Sequence, residues 1–182
     1  MAQPRSLWSA AAAMWARRWC GWQSCWACRS TALEDRPEFA EELRQVGADA
    51  VLCLPFAEGL AQIPGGQETY FVVVTRAHSC DIACLRSILQ KPAAYVGMMG
   101  SRKRAALVHT QLAELGLPQE RIDALHAPIG LSIGAKTAQE IALSILAEIV
   151  SVKTAASRPR VFPRCCWLRW NSRPLRRCWR PS

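Results

Sequence analysis

The sequence predicts an α/β domain over residues 31–152, a Rossmann-like, doubly wound parallel sheet. Three observations carry this. From Thr31 onward, short apolar runs alternate with helical patterns at the spacing of βαβ units. Tyr70-Phe71-Val72-Val73-Val74-Thr75 is an unbroken aromatic and β-branched run, as expected of a strand covered on both faces. The composition also changes sharply at both ends of the middle. Residues 31–152 hold ten basic and all fourteen acidic residues, a net −4, whereas residues 1–30 and 153–182 together carry +13 and no acid. All eight Trp and six of the nine Cys lie in those two ends.

Within the middle each element has its own signal. Thr31-Ala32-Leu33 ends a strand closed by Glu34-Asp35. Pro37 suits the first position of a helix that continues from Glu38 to Gln45. Ala48 to Leu54 reads as a short strand stopped by Pro55, Phe56 to Gln62 as a short helix, and Pro64-Gly65-Gly66 as a turn. The strand at 70–75 follows. Asp81 to Gln90 is helical, with Ile82, Leu85, Ile88 and Leu89 on one stripe. Ala93 to Met98 is a strand, Ser101 to Leu115 a helix ended by Gly116, and Pro118 to Leu125 a short helix. Thr137 can cap a last helix from Ala138 to about Val150.

The ends do not share this grammar. Their apolar residues follow neither a helical nor a strand repeat for long. Arg interleaved with Trp suits single-stranded nucleic acid, Cys25 and Cys28 have CxxC spacing, and Leu7 to Ala16 resembles a short signal core. Yet no second Cys/His pair completes a zinc site, and Arg17-Arg18 stand where small residues should mark cleavage. A neighbouring reading frame explains residues 9–28 better. Met and Trp have single codons, so Met14-Trp15 and Trp15-Ala16 force Val and Gly in the frame that begins on each third base. That frame can read Cys-Gly-Gly-Gly-His-Val-Gly and then an Ala/Leu-rich helix. The expectation is therefore that residues 1–30 are out of frame, that a frameshift lies near Cys28–Thr31, and that the first strand and glycine loop are lost. Residues 153–182 read as a basic tail of low order, and nucleic acid is not an expected partner. No apolar run reaches the roughly 18 residues of a membrane span. Cys53, Cys80 and Cys84 read as reduced thiols of a cytoplasmic protein.

Ligands of such sheets sit at the carboxyl ends of the strands, and four segments fall there. Glu34-Asp35 can accept hydrogen bonds from ribose hydroxyls, or be a solvated turn beside Arg36. Thr75 and His78 follow the most buried strand, where His78 could pair with Asp81. Gly97 to Arg104 (GMMGSRKR) joins flexible backbone to a Ser-capped helix start and three cations. Cations at a helix start oppose the macrodipole, which points to an anion rather than to stability. His126 to Ala135 places Pro128, Gly130 and Gly134 in an apolar loop before a capped helix. No catalytic triad, paired carboxylates or metal cluster emerges.

The segments Ala94 to Lys103 (AYVGMMGSRK), His126 to Ala135 (HAPIGLSIGA) and Glu140 to Ile149 together closely resemble the C-terminal Rossmann domain of the xanthine dehydrogenase accessory (XdhC/CoxI) family. Glu34 to Phe39 resembles that family's second-strand end, and the resemblance covers about residues 31–152. It implies an accessory factor, not a turnover enzyme, that binds molybdenum cofactor, assists its sulfuration and hands it to a xanthine dehydrogenase-like apoenzyme. A cysteine desulfurase and a second copy of the chain are further implied partners. The cofactor is a pterin bearing a phosphate, often with a nucleotide. The implied binding set is Glu34, Asp35, Thr75, His78, Gly97, Gly100, Ser101, Arg102, Lys103, Pro128, Gly130 and Gly134, with no catalytic or metal residue. The chain departs from the family in lacking its glycine loop and N-terminal domain, and in having Ser132 and Ala138 where Asp and Pro are usual. The alternatives are an NAD(P)-dependent oxidoreductase using the same crevice and a damaged, non-functional family member.

Overall fold

A computed structural model describes residues 6–11, 29–45, 47–75 and 78–157, with side chains left out at 6–11, 78 and 155–157. In chain order the elements are β1 (Ser6–Ala11), β2 (Arg29–Glu34), α1 (Pro37–Gln45), β3 (Ala50–Cys53), α2 (Phe56–Gln62) and β4 (Gly66–Val74). Then come α3 (His78–Ile88), β5 (Ala93–Met98), α4 (Arg102–Glu114), α5 (Gln119–Asp123), β6 (Leu125–His126) and α6 (Ala138–Ser157). The six strands form one parallel sheet in the order β3-β2-β1-β4-β5-β6. This is the doubly wound arrangement of a Rossmann-like domain.

The expected loss of the first strand is overturned. Ser6–Ala11 is the central strand β1, paired with β2 (Ser6 opposite Arg29) and with β4 (Ser6 opposite Thr69). A strand flanked on both sides is specified by its ladder partners more than by its own propensity, so its composition concealed it. The glycine loop expected of this region falls on residues 12–28, outside the described residues.

The sheet is packed on both faces because side chains alternate along each strand. Phe71 and Val73 of β4 join Val96 and Met98 of β5 on one face, against Leu60, Leu85, Ile88, Val108, Leu112 and Ile122 of α2 to α5. Tyr70, Val72 and Val74 point the other way, with Tyr95, against Ile145 and Ile149 of α6. Leu43 of α1 meets Ala32 of β2 in a smaller cluster. The unbroken apolar run of β4 is thus divided between two cores.

Polar groups fasten the amino ends of the strands. Asp49 accepts from the Ser30 amide at 2.7 Å and from its hydroxyl at 2.8 Å, bonds that hold its carboxyl below the usual range. Lys91 donates to the Leu60 carbonyl and, at 2.6 Å, to that of Ile63, closing the carboxyl end of α2. Cys53, Cys80 and Cys84 are free thiols, and burial pushes Cys84 up to about 12. Among the described residues no helix is long and apolar enough to cross a membrane.

Candidate functional site

The sheet order reverses between β1 and β4, so the carboxyl ends of β2, β4, β5 and β6 surround the crevice where such folds take ligands. Glu34 ends β2 with its side chain buried, while Asp35 beside it is half-exposed. Arg36 Nε lies 3.4 Å from Glu34 Oε1 and 3.7 Å from Asp35 Oδ1, and its guanidinium stacks 4.0 Å over the Phe39 ring. Burial, then a hydrogen bond with Asp35, pushes the Glu34 carboxyl up to about 7 against the pull of Arg36.

That shift makes Glu34 a cost rather than a support at neutral pH. Its folded pKa lies above the unfolded value near 4.5, so the unfolded chain binds fewer protons between pH 4.5 and 7, and stability falls as pH rises through that window. Glu34→Gln should therefore match the parent near pH 4.5 and melt at higher temperature than the parent at pH 8. Melting curves of both chains from pH 4.5 to 8 check this, and a constant gap across that range would contradict it.

At the end of β4, Thr75 donates its hydroxyl to Asp81 on α3, and Arg104 on α4 pairs with the other Asp81 oxygen. Asp81 is 1 % exposed and Arg104 19 %. Arg104 is thereby neutralised within the protein, and its side chain runs along Gly100, where an added Cβ would lie 3.1 Å from Arg104 Cδ. Ser101 caps α4 as expected, accepting from the Arg104 amide at 3.2 Å. Arg102 and Lys103 are exposed in a first turn that holds no acid. Among the described residues, two exposed cations without an ion-pair partner and a capped helix start thus remain at this edge.

The segment after β6 is held from several sides. The Ala127–Pro128 peptide is cis, and Gly130 has φ +97°. The amides of Ile129 and Leu131 donate to the carbonyls of Met98 (3.0 Å) and Ser144 (3.2 Å). The Gly130 amide donates to Glu148 Oε2 of α6 at 2.8 Å, which also accepts from the Tyr95 hydroxyl at 2.5 Å. His126 Nδ1 lies 3.3 Å from Glu148 Oε1, and its ring sits 4.6 Å from that of Tyr95. Burial, reinforced by Glu148, raises the Tyr95 phenol well above its ordinary value. Thr137 and Glu140 form a capping box: Thr137 Oγ1 accepts from the Glu140 amide, and Glu140 accepts from the amides of Lys136 (2.7 Å) and Thr137 (2.9 Å). Between this segment and Met99-Gly100 lies a pocket of about 360 Å³.

Of the expected residues, Thr75, Gly100, Ser101, Pro128, Gly130 and Gly134 lie on the carboxyl-end loops of β4, β5 and β6, and Arg102 and Lys103 in the first turn of α4. Glu34 and Asp35 stand at the end of β2, beyond β1 from these. Gly97 is different. It lies inside β5, and an added Cβ would come within 2.4 Å of Ile129 and 2.7 Å of the Tyr95 hydroxyl, so its close approach is to the protein. His78 opens α3, but its side chain lies outside the described residues, and Asp81 is committed to Thr75 and Arg104 instead. The pairing of Arg104 with Asp81 and the linked contacts of Tyr95 and Glu148 were not anticipated. A signal existed for Glu148, which stands seven residues after Ile141 on the inward stripe of α6. Asp81 lies on the buried stripe of Leu85 and Ile88 in the same way. Among the described residues no group of three or more His, Cys, Asp or Glu could hold a metal ion.

The chain is 43% identical over 84 residues to YqeB of Escherichia coli (strain K12), covering 46% of this chain and 16% of that protein. It is 29% identical over 86 residues to the molybdenum cofactor insertion chaperone PaoD of the same organism, covering 47% and 27%. It therefore spans well under half the length of either relative. A crystal structure described as a xanthine dehydrogenase from Bacillus halodurans superposes with TM-score 0.68 at 22% identity, over 91% of this chain and 46% of that one, and supports the fold. Residues 12–149 match the family model of the XdhC Rossmann domain, so that most of the chain, including every loop around the crevice, belongs to the XdhC Rossmann domain family.

Proposed function

We propose that this domain serves an accessory factor that binds molybdenum cofactor and assists its sulfuration and insertion into a xanthine dehydrogenase-type apoenzyme. The observation that carries the reading is the crevice edge at Gly100 to Lys103, within a domain whose relative PaoD is a molybdenum cofactor insertion chaperone. A phosphorylated pterin needs anion donors beside an uncharged surface. The capped start of α4, with Arg102 and Lys103 exposed and Arg104 neutralised by Asp81, provides the first. The pocket behind Gly100 provides the second. When bound, the cofactor supplies its own redox chemistry, and this chain's residues orient and shield it. Glu34, Asp35, Thr75, His78, Gly97, Pro128, Gly130 and Gly134 complete the proposed binding set. The client apoenzyme, a cysteine desulfurase and a second copy of this chain are the proposed partners, and the cytoplasm the proposed compartment.

The test is retention of molybdopterin, released from a holoenzyme, by the purified chain on size exclusion under anaerobic conditions. Parent protein should carry pterin and molybdenum in its peak. Arg102→Ala/Lys103→Ala should lose most of both while keeping its melting temperature within about a degree. Free passage of the cofactor past the parent would overturn the proposal. The acid pair at the end of β2 favours a second reading, in which the same crevice takes NAD(P) for an oxidoreductase. Saturable NADH binding with turnover of an added acceptor would establish that reading instead.

A further inference from the structure

We infer that the pocket between the end of β5 and the loop at 131–135 is the subsite for an uncharged, planar heteroaromatic ring. The inference rests on the cofactor reading above and goes further, by stating which part of the ligand enters and which wall holds it. The pocket measures about 360 Å³, near the small end of ligand sites, which suits one fused ring system rather than a whole dinucleotide. Met99, Ile129, Ile133 and Ile141 supply its apolar walls, and among the described residues no charged side chain lines it. A charged group entering there would lose water without a partner, so the phosphate of a ligand stays outside. The thioether of Met99 is well suited to an aromatic face. Ser132 and the backbone at Gly134 provide polar edges for ring nitrogens and a carbonyl.

Three further facts favour a ligand over mere packing. Ile133 is 52 % exposed and Leu131 41 %, so the loop presents apolar surface to solvent that a ring would cover. The wall is built in advance, by the amide bonds of Ile129, Gly130 and Leu131 on one side and the Thr137–Glu140 box on the other. Such preorganisation lowers the ordering cost of binding. Finally, Gly100 lines the pocket and directly precedes Ser101, so a ring here places an attached phosphate toward the start of α4.

The experiment uses the full chain, with 6-hydroxymethylpterin and molybdopterin as separate probes, followed by pterin fluorescence anisotropy. Ser132→Trp fills the pocket from an exposed loop position, and Ile133→Ser removes one wall. Both should leave the circular dichroism and urea midpoint unchanged. The parent should bind both probes. Ser132→Trp should weaken each at least ten-fold, and Ile133→Ser several-fold. Inorganic phosphate should compete with molybdopterin and not with 6-hydroxymethylpterin. If molybdopterin binds the parent and both variants equally, the ring lies elsewhere and this inference fails while the cofactor reading stands. If only 6-hydroxymethylpterin binds the parent, and Ser132→Trp abolishes that, the subsite stands and the cofactor reading fails. If neither probe binds the parent, both fail.

Discussion

Replacing Asp81 by alanine should lower the unfolding free energy by about 3–5 kcal/mol, the cost typical of removing one member of a buried ion pair. Asp81 is 1 % exposed and accepts from both Thr75 and Arg104. Without it, the guanidinium of Arg104 stays mostly buried with no counter-charge. Its Nε already has no hydrogen-bond partner among the described residues. Asp81→Asn should cost less, because the amide oxygen can still accept one bond. Asp81→Leu/Arg104→Met removes both charges and should recover most of the loss, since apolar replacement of a whole buried pair is often neutral. Urea titrations of the four chains measure the coupling. A loss below about 1 kcal/mol for Asp81→Ala would mean that the pair is screened by solvent.

Gly130→Ala should be nearly as damaging, at about 2–5 kcal/mol. Two costs combine. At φ +97° an L-residue pays about 1–2 kcal/mol for its backbone. The added Cβ would also lie 2.5 Å from Ser144 Oγ and 3.3 Å from the Ile145 amide nitrogen, an overpacking worth about 1–3 kcal/mol. Gly134 separates the two. Its φ is +75° but an added Cβ meets nothing within 4 Å, so Gly134→Ala should cost only the conformational part, about 1–2 kcal/mol. Equal urea midpoints for the two variants would show that the contact with α6 is relaxed at no cost.

Much of the architecture was legible because local and tertiary signals agreed. Pro37 and Pro55 bound their elements, and α1, α2 and β5 run over the residues their patterns indicate. Elsewhere the two kinds of signal part. β4 begins at Gly66 rather than Tyr70, since its first residues, Gln67, Glu68 and Thr69, are polar and span a register shift against β5. β6 has only Leu125 and His126, too few residues for any period. α6 continues from Val150 to Ser157, past the charge boundary that seemed to close it. Within the crevice, glycines and cations in the loops announced themselves, because those residue types have few structural reasons to be there. Asp81 and Glu148 did not. A single carboxylate on a helix is ordinarily solvent-facing, and only its phase relative to the apolar stripe shows that it is buried.

The position of β1 has a consequence for how the molecule is assembled in time. Residues 6–11 leave the ribosome before residues 69–74, yet the strand they form is walled by both β2 and β4. Pairing with β2 alone leaves an open edge, and parallel pairing is slow because a long loop must close before it gains anything. β1 thus waits with one edge open while α1, β3 and α2 are made. Until β4 arrives, the vacant place beside this segment in a nascent sheet is a slot that a strand from a neighbouring nascent chain could occupy.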